Sequence, residues 1–151
     1  MDRKGKIMST AGSGARSDII FMLISAGIFA YFGFGGSWTH QNTVATATQP
    51  SQFLVMVAVL KWTLRGGAIA FGVAALLSMM GTIAGPLLYA VAGLLTAILF
   101  VVVAIWEWTN PQGYYSGVPA ILLLIFAAWN GFGSWTSLRE ILASRAAPQA
   151  A

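Results

Sequence analysis

Four long apolar stretches occupy most of this chain and leave little from which to build anything else. A helix needs about 20 mainly apolar residues to cross a hydrocarbon core about 30 Å thick. Each stretch comes close to that length. With 58% hydrophobic and 8% charged residues, the 151-residue chain also cannot cover a soluble domain of its size with polar surface. The expected fold is all-α: a polytopic membrane protein built as a four-transmembrane-helix bundle. Its spans are expected at about 19–36, 66–84, 87–108 and 118–135.

The membrane domain is expected over residues 17–145, between a flexible basic tail at 1–16 and a disordered tail at 146–151. Met8 offers a second start, which would remove Arg3, Lys4 and Lys6. Ser17 and Asp18 precede the first apolar run as N-cap candidates. A basic segment before an apolar run resembles a signal peptide, and Ala45-Thr46-Ala47 resembles a cleavage triplet. The run is too long for an ordinary signal core, so a retained span is the preferred reading. Residues 40–52 lack charge and periodicity and are expected to form a loop; its His40 has no second ligand to make a metal site.

The second span poses a charge problem. Centring it on residues 53–64 would bury Lys61 at a cost of about 2.5 to 3.5 kcal/mol. Starting it at Gly66 avoids this and leaves 52–65 as an interfacial helix or an extension of the span. Gly85-Pro86 is the expected turn of a tight central hairpin, because Pro86 lacks the N–H that a continuing helix needs. Counting outward from that turn brings Glu107 level with Arg65, so an interfacial ion pair of Glu107 with Arg65 or Lys61 is expected. Trp38, Trp62, Trp106, Trp108 and Trp135 are expected as anchors at the lipid–water boundary.

Small residues recur along the second span at Gly66, Ala70, Ala74 and Ser78, with Gly81 and Gly85 beyond them. A spacing of four keeps side chains on one ridge where another backbone can approach, which makes this span the expected packing centre. Gly93 with Ala97, and Ala127 with Gly131, are weaker versions. The segment Ile28-Phe29-Ala30…Gly36-Ser37-Trp38-Thr39 is echoed by Ile125-Phe126-Ala127…Gly133-Ser134-Trp135-Thr136. With four crossings the two ends fall on opposite faces, so each is read as an interfacial stop where a helix finishes.

Chemistry has little footing in this inventory. There is no cysteine, no phosphate-binding loop after a strand, no nucleophile with a base, and no histidine within a span to hold a cofactor. No catalytic, cofactor or metal site is therefore expected, and the chain is not read as an enzyme. The net charge of +4 is explained by topology and not by nucleic acid. Arg16, Arg139 and Arg145 put both termini in the cytoplasm under the positive-inside rule, with a bacterial cytoplasmic membrane as the expected location. The expected function is a structural or accessory subunit that packs with partner membrane proteins or with itself. The alternative is a small homo-oligomeric transporter or channel for a neutral or apolar solute, motivated by the echo as an inverted repeat.

Overall fold

The computed structural model describes residues 18–35, 50–109 and 118–146, which are helical apart from short turns and contain no strand. We number the helices α1 (Asp18–Gly35), α2 (Pro50–Met79), α3 (Ala84–Thr109) and α4 (Ala120–Ala146). Each is long and apolar enough to cross a membrane. The outward faces are as apolar as the core: Val91, Leu95, Ile98, Val102 and Ile105 form a continuous exposed stripe on α3. Such a surface is stable against lipid and not against water. The chain is a four-helix membrane bundle.

Among the described residues, prolines mark helix starts and none interrupts a helix interior. Pro50 opens α2, and the Pro119 carbonyl accepts the first amide bonds of α4, from Leu122 at 2.9 Å and Leu123 at 3.0 Å. Residues 52–65 continue the second span as one unbroken helix.

The hairpin turns earlier than Gly85-Pro86. Helix α2 stops at Met79, and Gly81 takes φ +74°, a left-handed conformation that suits glycine. Its amide donates to the Ser78 carbonyl at 3.0 Å, and the Thr82 amide donates to the Leu77 carbonyl at 3.1 Å. These two bonds are a Schellman cap, which satisfies carbonyls left open at the helix end. Gly81 is therefore a cap and not part of a packing ridge. Gly85 and Pro86 lie inside the first turn of α3, where the missing proline N–H costs nothing.

Moving the turn shifts the register of the hairpin. Phe53 now faces Trp106 at 6.2 Å between ring centroids, and Phe71 faces Tyr89 at 5.5 Å. Glu107, next to Trp106, thus lies near the start of α2. At 1.5 Å per residue it is roughly 12 Å along the axis from Lys61 and roughly 18 Å from Arg65. This register sets Glu107 apart from both cations along the helix axis. In a double-mutant cycle, the exchange of Glu107→Lys with Arg65→Glu is expected to show a coupling below about 0.5 kcal/mol, as for distant sites. A restored stability in the exchanged variant would reinstate the pairing.

The packing centre is α3 and not the second span. Half of α3's apolar window is buried, against 33% for α2, 28% for α4 and 22% for α1. Phe29 of α1 anchors the core at 1% exposure, with its ring 5.2 Å from Phe71, 5.3 Å from Phe100 and 6.2 Å from Phe126. One aromatic cluster thereby ties all four helices together. Between α3 and α4 the backbones meet at Gly93, where a Cβ would collide with the Ser134 hydroxyl and lie 3.2 Å from the Asn130 carbonyl oxygen. Gly93, from one of the weaker small-residue pairs of the sequence, is thus a point of close helix contact.

Ser134 itself corrects the reading of the echo. It is fully buried and donates to the Tyr89 carbonyl at 3.2 Å, and α4 runs on to Ala146. Gly133-Ser134-Trp135-Thr136 is therefore an interhelical contact in mid-helix and no helix stop. Its counterpart Gly36-Ser37-Trp38-Thr39 lies outside the described residues, as do both tails, His40, most of the 40–52 loop and Trp38 among the anchors.

Candidate functional site

A cleft of about 500 Å³ runs between α2 and α3, open on the outer face of the bundle. It exists because of where the small residues fall. The buried stripe of α2 passes through Phe53, Val57, Leu60, Leu64, Ala68, Phe71 and Ala75, a helical period of three and four. Gly66 and Ala70 lie beside that stripe instead of within it. Gly66 is exposed, and a Cβ added there would meet nothing within 4 Å. Ala92 lines the opposite wall from α3, and Leu95 and Leu99 complete it.

The ridge read from the sequence therefore divides. Ala74, Ser78 and Gly85 do pack: Ala74 is fully buried, and a Cβ on Gly85 would lie 2.7 Å from the Ala74 carbonyl and 2.5 Å from the Ser78 amide nitrogen. The Ser78 hydroxyl also reaches the Met22 sulfur on α1 at 3.6 Å. Gly66 and Ala70 instead leave an apolar concavity that no described residue fills. Gly67 lies at its floor, with the Phe29 ring and Thr96 directly behind it.

The polar groups at the cleft are internally satisfied, as a low-dielectric surround requires. The Thr63 hydroxyl donates to the Val59 carbonyl at 2.7 Å, and the Thr96 hydroxyl donates to the Gly93 carbonyl at 3.0 Å. Apart from the indole N–H of Trp62 at its edge, the cleft presents an apolar surface. Its chemistry is that of a surface for close van der Waals contact.

Arg65 and Trp62 form one edge. The last five residues of α1, Tyr31–Gly35, wind as a π-helix, and this wider turn offers the Gly33 carbonyl to Arg65 Nε at 2.9 Å. The guanidinium lies 5.2 Å from the Phe34 ring centroid and 5.7 Å from that of Trp62, within cation–π reach of both. A charge in the second span is thus held by a carbonyl and two rings. Sequence reasoning missed this partner because a π-turn leaves no mark in residue pattern. Trp62 is 67% exposed and stands over the cleft, and Trp108 and Trp135 also face outward, whereas Trp106 is half-buried against Phe53.

Among the described residues, no group of three or more His, Cys, Asp or Glu side chains is placed to hold a metal ion. Comparison with protein-family models, with curated proteins and with solved structures finds no match, which leaves the geometry of the chain itself to support a function.

Proposed function

We propose that this chain is a structural or accessory subunit of a membrane assembly, and that the α2–α3 cleft receives a transmembrane helix of a partner protein. The observation that carries this reading is the open apolar concavity at Gly66 and Ala70 on the outer face of the bundle. Helices in lipid gain no hydrophobic drive from pairing, so they associate where small residues allow backbones to approach. Gly66 and Ala70 are one helical turn apart, the spacing that lets a partner helix lie along the groove.

A different protein is favoured over a second copy. In a two-fold dimer the same patch meets itself, and two concave clefts placed face to face would leave a void between them. A convex helix bearing branched side chains fills the space instead. The same reading puts the chain in a bacterial cytoplasmic membrane with both termini inside. It is supported by the four crossings and by the arginines Arg16, Arg139 and Arg145 near the two ends.

The test is to fill the cleft without disturbing the fold. Gly66→Leu combined with Ala70→Leu is expected to change bundle stability by less than about 1 kcal/mol, because the Gly66 side opens onto empty space. The same variant is expected to lose a stoichiometric partner during purification in mild detergent. Retention of the partner by a filled cleft would overturn the proposal. A variant that separates only from its own copies would replace the partner by self-association.

A further inference from the structure

At the opposite end of the bundle from Arg65, helices α1, α3 and α4 enclose a second cavity of about 420 Å³. Its walls are mainly aromatic: Phe21 from α1, Tyr89 from α3, and Trp129 and Phe132 from α4. The Phe21 and Trp129 rings are 5.2 Å apart at 54°, which gives one rim a fixed shape. Among these rings stands one carboxylate, Asp18, in the first turn of α1, and Thr136 lies across from it.

The electrostatics of this cavity are one-sided. Asp18 is partly withdrawn from solvent, and among the described charges the one it senses is Glu140, a second carboxylate one helical turn beyond Thr136. Among the described residues, no lysine or arginine lines the cavity. The start of a helix partly compensates a negative charge through its exposed amides, which explains how Asp18 is tolerated there. It does not explain why the carboxylate opens onto a cavity walled by aromatic rings. Ring faces are regions of negative potential and repel an anion, whereas they attract a cation.

We infer that this cavity is a binding site for an organic ammonium group, held by the Asp18 carboxylate and the faces of Phe21, Tyr89, Trp129 and Phe132. Aromatic faces together with a carboxylate suit a cation whose charge is wrapped in methyl or methylene groups, since the rings replace the weak hydration that such a group gives up. A bare metal ion would need several oxygen ligands, which this cavity lacks. Two sources offer the same chemistry: the ammonium headgroup of a phospholipid, and a free alkylammonium compound. Nearby, Ser25, one helical turn from Phe21, and Asn130, next to Trp129, each bury a side-chain oxygen without a hydrogen-bond partner among the described residues.

The inference is independent of the α2–α3 cleft, and its test keeps the two apart. The full chain in phosphatidylglycerol nanodiscs is titrated with benzyltrimethylammonium and with its neutral carbon isostere, with empty nanodiscs subtracted and tryptophan fluorescence as the readout. The cation is expected to bind at least tenfold more tightly than the isostere. Asp18→Asn and Trp129→Leu are each expected to weaken it tenfold or more, whereas Asp18→Glu and the cleft variant Gly66→Leu retain binding. Helicity and elution volume confirm that each variant is folded. Competition by phosphatidylethanolamine titrated into the disc assigns the site to a lipid headgroup, and its absence assigns a free ammonium compound. Equal binding of cation and isostere, or wild-type binding by folded Asp18→Asn, would overturn the inference.

Discussion

Gly93→Val is expected to destabilise the bundle by about 3 kcal/mol, the upper end of the range for overpacking a well-filled interior. The reason lies in what surrounds the new side chain. Its Cβ would collide with the Ser134 hydroxyl and sit 3.0 Å from Ser134 Cβ and 3.2 Å from the Asn130 carbonyl oxygen. Relief requires α3 and α4 to separate, which would also break the 3.2 Å bond from Ser134 to the Tyr89 carbonyl. Ser134→Gly in the same chain should recover part of the loss but not all, because the Asn130 carbonyl is backbone and cannot move away alone. Gly72→Val is the control. A Cβ there meets nothing within 4 Å, and a change below about 0.5 kcal/mol is expected. Unfolding in mixed micelles with a rising fraction of denaturing detergent measures all three. Equal effects at Gly93 and Gly72 would show that α3 and α4 do not meet as described.

Phe29→Ala is expected to cost about 2 kcal/mol, which is less than the 3 to 5 kcal/mol typical of such a truncation in a water-soluble core. In a bilayer the separated helices already sit in an apolar solvent, so the transfer part of the penalty is absent. What remains is the cavity and the lost contacts with Phe71, Phe100 and Phe126. Phe29→Leu should cost appreciably less, because it refills most of the volume. The same unfolding assay checks this, and a loss as large as in water would mean that the aromatic cluster is not surrounded by lipid-solvated helices. Because Phe29 is the α1 residue whose ring meets all three other helices, its loss should also raise the protease sensitivity of α1 selectively.

The number and class of elements were legible because apolar length is a strong signal and the bilayer leaves few alternatives. The spans expected at 19–36 and 87–108 lie within one residue of α1 and within three residues of α3 at both ends. The hairpin turn was misplaced because two glycines compete for it. Gly85-Pro86 is the louder local signal, but proline fits the first turn of a helix as well as it breaks one. Gly81 stops α2 through a left-handed cap, whose need appears only once the carbonyls of Leu77 and Ser78 require partners. Every later level count inherited the shift, and the Glu107–Arg65 pairing went with it.

Which small residues pack was not legible at all. A helix that is apolar on every face has no polar side to show where its neighbours lie. Gly66 and Ala70 share their spacing with Ala74 and Ser78, yet the first two open onto the cleft and the others pack. Helix crossing decides between them, and crossing is a property of pairs of helices. The carboxylate of Asp18 was likewise legible only as a helix-start residue, because the aromatic rings around it come from chain segments about 70 and 110 residues away.

The central claim is that the α2–α3 cleft is a seat for a partner helix, and site-specific photocrosslinking in native membranes tests it most directly. A photoreactive residue is placed at Val59 or Leu95, which line the cleft, and separately at Ile121 or Ile125 on the exposed face of α4. The expected result is an adduct with one protein, formed from the cleft positions only and lost when Gly66→Leu and Ala70→Leu fill the groove. Adducts with lipid alone at Val59 and Leu95, or a protein adduct formed equally from α4 and indifferent to the filled groove, would contradict the account.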